Sequence, residues 1–192
     1  MGPRATKLRS RYRWALAMLL VVTSSVIARA ADYVVQHDIM VEMRDGVRLA
    51  TDVYRPAVDD QPIDQALPVI LSRTPYNKAG GKTMGAYYAT HGYVFVAQDT
   101  RGRYGSEGVW HMLTDDGPDG VDCAAWIGNQ PWSNGKIGMI GTSYFGGTQH
   151  AMALAGAPEL TTVIPVDAMA NMGRQSIRNA VPLNSGSGTG SS

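Results

Sequence analysis

The sequence predicts a doubly wound α/β fold, and three observations carry that reading. Short apolar, β-prone runs alternate with segments of helical spacing between Leu67 and Val166. A hairpin pattern turning at Asp45-Gly46 precedes them. A serine, Ser143, stands where the third core strand gives way to a helix of small residues.

The elements follow in order. Residues 34–41 and 49–54 read as the two arms of the hairpin, and Arg55-Pro56 is expected to end the second arm. Residues 58–65 are polar enough for a loop. Residues 67–72 form a short apolar run of buried-strand type, which Pro75 cannot continue. A helix is expected over 82–90, stopped by Gly92, and a strand over 93–97 running on to Asp99. Strand, helix, strand in this order predicts parallel crossovers. After a glycine-studded loop at 101–108, a second helix is expected over 118–127. Asn134-Gly135 is expected to turn the chain into a strand at 137–141. A helix over 146–154 and a β-branched strand over 160–166 complete the pattern, with Pro165 near the end of the last.

The first thirty residues stand apart from this domain. Arg4, Lys7, Arg9, Arg11 and Arg13 form a basic start, and residues 14–27 form a mostly apolar run broken by Thr23, Ser24 and Ser25. Ala28-Arg29-Ala30 supplies an A-x-A cleavage site. Residues 1–30 are therefore expected to be a cleaved signal peptide directing export to the periplasm or beyond. The unbroken apolar stretch is shorter than the roughly 18 residues a spanning helix needs, which disfavours a retained membrane anchor. Residues 31–183 are expected to form a partial domain, and 184–192, all but the first drawn from Ser, Gly and Thr, a flexible tail.

Of the 17 basic residues six precede Ala31, whereas all 16 acidic ones follow it, so the exported chain is acidic and a poor match for nucleic acid. The single cysteine, Cys123, excludes an internal disulfide and a zinc site built on paired thiolates.

The chemistry concentrates in Gly138-Met139-Ile140-Gly141-Thr142-Ser143-Tyr144-Phe145-Gly146-Gly147. A serine in a tight strand-to-helix turn is held out at the carboxyl edge of a sheet, and small neighbours let the helix approach. The backbone N–H of the next residue, Tyr144, can then meet a developing oxyanion. The spacing departs from G-x-S-x-G, because Phe145 takes the place of the second glycine and Gly146 follows it.

The surrounding motifs resemble the X-Pro dipeptidyl-peptidase, cocaine esterase and α-amino-acid ester hydrolase group of serine hydrolases. They are Met43-Arg44-Asp45-Gly46-Val47-Arg48-Leu49, Arg73-Thr74-Pro75-Tyr76-Asn77-Lys78 and Gln98-Asp99-Thr100-Arg101-Gly102-Arg103-Tyr104-Gly105-Ser106-Glu107-Gly108. Asp119-Gly120, Gln130-Pro131-Trp132-Ser133-Asn134-Gly135-Lys136-Ile137-Gly138 and the elbow itself complete the series. In that group the elbow commonly reads G-x-S-Y-x-G, as here. The resemblance implies an α/β-hydrolase fold, incomplete, running through the nucleophile elbow and the following strand. It further implies Ser143 as the acylated nucleophile, with the N–H of Tyr144 and the phenol of Tyr76 as the two oxyanion donors. Asp99 and Arg101 read as a loop-ordering pair, and Trp126 and Trp132 as packing residues.

A serine nucleophile needs a histidine base and an orienting acid, in the chain order Ser, Asp or Glu, His. After Ser143 the only acids are Glu159 and Asp167 and the only histidine is His150. His150 falls two turns along the helix leaving the elbow, so its ring is expected to point along that helix. His37, His91 and His111 precede the serine and fit the order no better. The resemblance puts the family's acid and histidine beyond this chain, so the chain is expected to be an amino-terminal portion, inactive by itself.

The expected substrate is a small-molecule ester or amide, or a peptide, with no cofactor and no metal required. Oligomeric state is not set by the sequence. A second reading is a catalytically dead binding remnant or frameshift product, drawn from the abrupt change of composition at Ser185. A nucleotide site is disfavoured: Gly80-Gly81-Lys82-Thr83 resembles the end of a phosphate-binding loop, but Tyr76 occupies the place of its first glycine.

Overall fold

Asp45-Gly46 closes the hairpin as its composition predicts, with Gly46 at φ 84° and the Met43 amide bonded to the Val47 carbonyl at 2.8 Å. The arms are β1 (Asp32–Glu42) and β2 (Arg48–Val58). They are followed by β3 (Gln61–Pro62), β4 (Leu67–Thr74), a 3₁₀ turn (Lys78–Gly81), α1 (Lys82–Thr90) and β5 (Val94–Asp99). Then come α2 (Asp116–Gly128), β6 (Ser133–Thr142), α3 (Tyr144–Ala155) and β7 (Leu160–Val166). The computed structural model describes residues 32–168; the proposed signal segment and the tail from 184 lie outside the described residues.

The described strands make one seven-stranded sheet in the order β1-β2-β5-β4-β6-β7, with β3 hydrogen-bonded to β2. β1, β2 and β3 run antiparallel to their neighbours, whereas the β4–β5, β4–β6 and β6–β7 pairs are parallel. This is the mixed α/β sheet that the alternation of runs predicts.

The two-residue period of the strands divides the core. Val94 and Val96 of β5 join Val69, Leu71, Ile137 and Met139 on one face, where α2 supplies Cys123, Ala124 and Ile127 and α3 supplies Met152. Trp132 is 5% exposed and meets Trp126 edge to face at 5.9 Å, so both are packing residues. Phe95 and Ala97 point the other way, toward Tyr54 and Ala89 of α1. There α1 comes so near β2 that a Cβ on Gly85 would lie 2.6 Å from the Tyr54 ring, a close approach only glycine permits.

Three expectations are corrected. Pro56 does not end the second arm: β2 runs on to Val58, because its pairing with β5 stops at Tyr54 and no neighbour on that side needs the Pro56 nitrogen. The stretch read as a loop contains β3, which pairs Gln61 and Pro62 with Val58 and Ala57. Asn134-Gly135 lies inside β6, where the register against β4 shifts between the Leu67 and Val69 pairs and Gly135 takes φ 77°.

β7 is the outer strand of the parallel half, and its Pro165 pairs with Gly141. The Val166 carbonyl faces inward, bonded to the Ser143 amide at 2.9 Å, so by strand alternation the Pro165 nitrogen faces the free edge. On the α1 side, β4, β6 and β7 leave an apolar groove of about 650 Å³, lined by Ile70, Tyr88, Gly138, Ile140, Thr162 and Ile164 among others. Ile164 is 52% exposed.

Among the described residues no strand pairs with the outer edge of β7, and an apolar groove beside such an edge favours association. The chain from Ala31 onward is expected to bind an apolar fluorescent dye in its native state and to self-associate at micromolar concentration. Sedimentation showing a monodisperse monomer that melts cooperatively and ignores the dye would contradict this.

Candidate active site

The end of β6 and the start of α3 make the turn that carries Ser143, whose backbone sits at φ 60°, ψ −117°. Few L-residues adopt this conformation, and it costs of order 1–3 kcal/mol. The turn is held by its own hydrogen bonds. The Ser143 amide donates to the Val166 carbonyl at 2.9 Å, and the Gly146 and Gly147 amides donate to the Ser143 carbonyl at 2.9 and 3.0 Å. Small residues are sterically required: a Cβ on Gly141 would meet that of Phe145 at 2.3 Å, and one on Gly146 that of Ala168 at 2.3 Å.

Tyr144 opens α3, so its amide is one of the first-turn N–H groups with no intrahelical acceptor, at the positive end of the helix dipole. Its side chain turns inward, 6% exposed. The phenol donates to Asp116 Oδ2 at 2.7 Å and accepts from Trp110 Nε1 at 3.2 Å and the Leu113 amide at 3.1 Å. Burial, reinforced by the Asp116 carboxylate, pushes the phenol up to about 12.

Tyr76 follows β4 and is 58% exposed. Its amide donates to Thr74 Oγ1 at 3.0 Å, and the preceding Pro75 carbonyl accepts from Arg103 Nε at 2.9 Å. Its ring lies 6.1 Å from that of Tyr144 and 6.0 Å from that of Phe145. Tyr76, Ser143 and Tyr144 line one cavity of about 60 Å³ with Met112, Leu113 and Gly147. The structure thus brings together the three site residues expected from sequence.

The turn after Tyr76 is fixed by a cation out of water. Lys78, 8% exposed, bonds Asp38 at 2.7 Å and Asp52 at 2.8 Å, while its amide donates to Asp99 Oδ1 at 2.6 Å. Asp52 also accepts from the Asp38 amide at 3.0 Å and contacts His37 Nδ1 at 2.9 Å. Burial alone would raise the Asp52 carboxyl, but Lys78, the Asp38 amide and His37 together hold it below the ordinary range. Asp99, with fewer compensating partners, is pushed up by burial.

Two expectations about partners change. Asp99 serves the amides of Lys78 and Gly105, and Arg101 instead grips Asp45 at 2.6 Å and Asp119 at 2.6 Å, so they are not a pair. The sequence reading also missed Arg73 and Asp116. Arg73 is fully buried, with Nη1 2.6 Å from the Asp116 carbonyl and 3.5 Å from its carboxylate, and Nε bonded to Gln98 at 2.8 Å. A charged residue closing an apolar run was the available signal.

No histidine among the described residues is hydrogen-bonded to Ser143. His37 contacts Asp52, His91 bonds the Tyr87 carbonyl, and His111 contacts Asp115. His150 lies in α3 with a buried, unpartnered Nδ1. Among the described residues no cluster of three or more His, Cys, Asp or Glu could hold a metal ion.

A serine on a strained strand-to-helix turn at the carboxyl edge of the parallel half of a mixed sheet defines an α/β-hydrolase. The comparisons agree and go further. The family model described as X-Pro dipeptidyl-peptidase (S15 family) matches residues 45–190, and the chain belongs to that family. A cocaine esterase from Rhodococcus sp. is 40% identical over 149 residues, covering 74% of this chain and 25% of that protein. Among solved structures, an α-amino acid ester hydrolase aligns with TM-score 0.65 at 30% identity, over 79% of this chain and 29% of its own. An aminopeptidase from the marine sediment archaeon Thaumarchaeota archaeon aligns with TM-score 0.64 at 30% identity, over 76% and 27%. The chain therefore spans about a quarter of the length of the curated relatives it matches.

Two outcomes test the site's physics. Ser143→Gly relieves strain of order 1–3 kcal/mol and adds a glycine entropy cost of roughly 0.5–1 kcal/mol, so denaturant unfolding should show a net gain of about 1 kcal/mol; a loss would mean the turn is unstrained. Asp52 has a depressed folded pKa, so its contribution is present above the unfolded value near about 3.9 and lost as pH falls through the lower folded value. Asp52→Asn should therefore destabilise by roughly 2 kcal/mol at pH 7, with the difference shrinking below pH ~3 in the same unfolding measurement.

Proposed function

We propose that this chain carries the nucleophile and oxyanion site of a serine hydrolase that cleaves ester or amide bonds through an acyl-enzyme. The observation that carries the reading is the shared cavity of Ser143, Tyr144 and Tyr76 at the carboxyl ends of β4 and β6. Ser143 Oγ attacks the substrate carbonyl. The Tyr144 amide and the Tyr76 phenol, both hydrogen-bond donors, stabilise the oxyanion that forms. Membership of a family whose relatives include esterases and X-Pro dipeptidyl-peptidases supports acyl transfer to small esters, amides or peptides.

Activation of Ser143 requires a base, and no described histidine bonds it, so the histidine and acid come from outside residues 32–168. No histidine, aspartate or glutamate follows Ala168 in the sequence, so the chain alone should not turn over. The basic start, apolar run and A-x-A site of residues 1–30 support export as the setting.

A fluorophosphonate probe read by mass spectrometry tests this. The 192-residue chain should leave Ser143 essentially unlabelled. A longer protein that supplies the histidine and acid should be labelled there, and Ser143→Ala should lower its ester turnover by at least about 10³-fold. Unchanged turnover in that variant would overturn the assignment.

A further inference from the structure

The Tyr144 side chain is not used by the reaction just described, yet it is among the most fully bonded polar groups in the molecule. Its oxygen donates once, to Asp116, and accepts twice, from Trp110 and Leu113, which exhausts the capacity of a phenol. We propose that Tyr144 and Asp116 are positioning residues that lock the head of α3 to the end of β4, fixing the oxyanion amide and Ser143 relative to Tyr76. The proposal rests on the hydrolase reading of Ser143 and deepens it.

The connectivity supports it. Asp116, 4% exposed, lies against Arg73, which is the penultimate residue of β4 and fully buried. Arg73 also bonds Gln98 of β5, so the anchor is the centre of the sheet. Tyr76 leaves the same strand two residues after its end at Thr74. Both oxyanion donors are thereby referred to one rigid element, Tyr76 through the backbone and Tyr144 through Asp116 and Arg73.

The need for such a lock is local. Gly141, Gly146 and Gly147 bring no side chain of their own to a turn whose backbone conformation is unfavourable, and Gly147 lies directly under Leu113, whose amide the Tyr144 phenol holds. Tyr144→Phe keeps the ring but removes the oxygen, leaving the Leu113 amide and Trp110 Nε1 without their acceptor.

Hydrogen exchange on the full chain tests the lock without requiring turnover. Tyr144→Phe is expected to speed exchange of the Ser143, Gly146 and Gly147 amides at least tenfold while β5 and α1 stay unchanged. Asp116→Ala should do the same, and Asp116→Asn, which retains an oxygen for the phenol, should restore most of the protection. Should these variants fold poorly, Trp110→Phe removes a single donor from a partly exposed residue and should give a smaller rise confined to the same amides. Unchanged elbow exchange, or an equal rise throughout the sheet, would overturn the proposal. Failure of the hydrolase reading would show separately, as ester turnover that survives Ser143→Ala in the longer protein.

Discussion

The guanidinium of Arg73 has no access to solvent, and a cation in that position obliges its neighbours to be arranged around it. Its Nε is met by Gln98, its Nη1 by the Asp116 carbonyl, and Nη2 lies 3.9 Å from the Asp119 carboxylate without a hydrogen bond. Removing one partner from such a buried charge costs of order 3–5 kcal/mol. The carboxylates that answer it are tied outward in turn: Asp119 to Arg101 and the hairpin turn at Asp45, and Asp116 to the elbow at Tyr144. Hairpin, second helix and nucleophile turn are thus linked by a series of hydrogen bonds and ion pairs that meet at Arg73.

Burial sets the character of that series. Desolvation raises the Asp116 carboxyl, against the pull of Arg73 and of the Tyr144 hydrogen bond. Arg101, less buried and hydrogen-bonded to two carboxylates, is also raised, but for a guanidinium the rise favours the charged form.

The sequence disclosed what is local. The hairpin turn, the α1 segment, the serine turn and β7 are each written in a few consecutive residues whose periodicity or turn chemistry has one reading, and the structure places them there. Pairings between distant residues were hidden. Arg73 and Asp116 are 43 residues apart, and Arg101 and Asp45 are 56 apart, and neither separation leaves a periodic trace. The bulge at Asn134-Gly135 was hidden for a related reason, since a dipeptide that favours positive φ serves a turn or a bulge equally well and only the neighbouring strand decides. Tyr76, Ser143 and Tyr144 were legible because their motifs resemble a known family; their shared cavity was not.

Pro165 gives the open side of the sheet a selectivity of its own. Its ring nitrogen faces outward and has no proton, so the edge of β7 presents an interrupted row of donors one residue before the strand ends. Any strand that extends the sheet beyond β7 must leave an acceptor idle there or bend away to water. An identical molecule laid alongside in arbitrary register meets that gap as a mismatch, whereas a segment shaped to diverge at this level does not. The same proline therefore disfavours a continuous ladder of copies along this edge and leaves association to the apolar groove beside it.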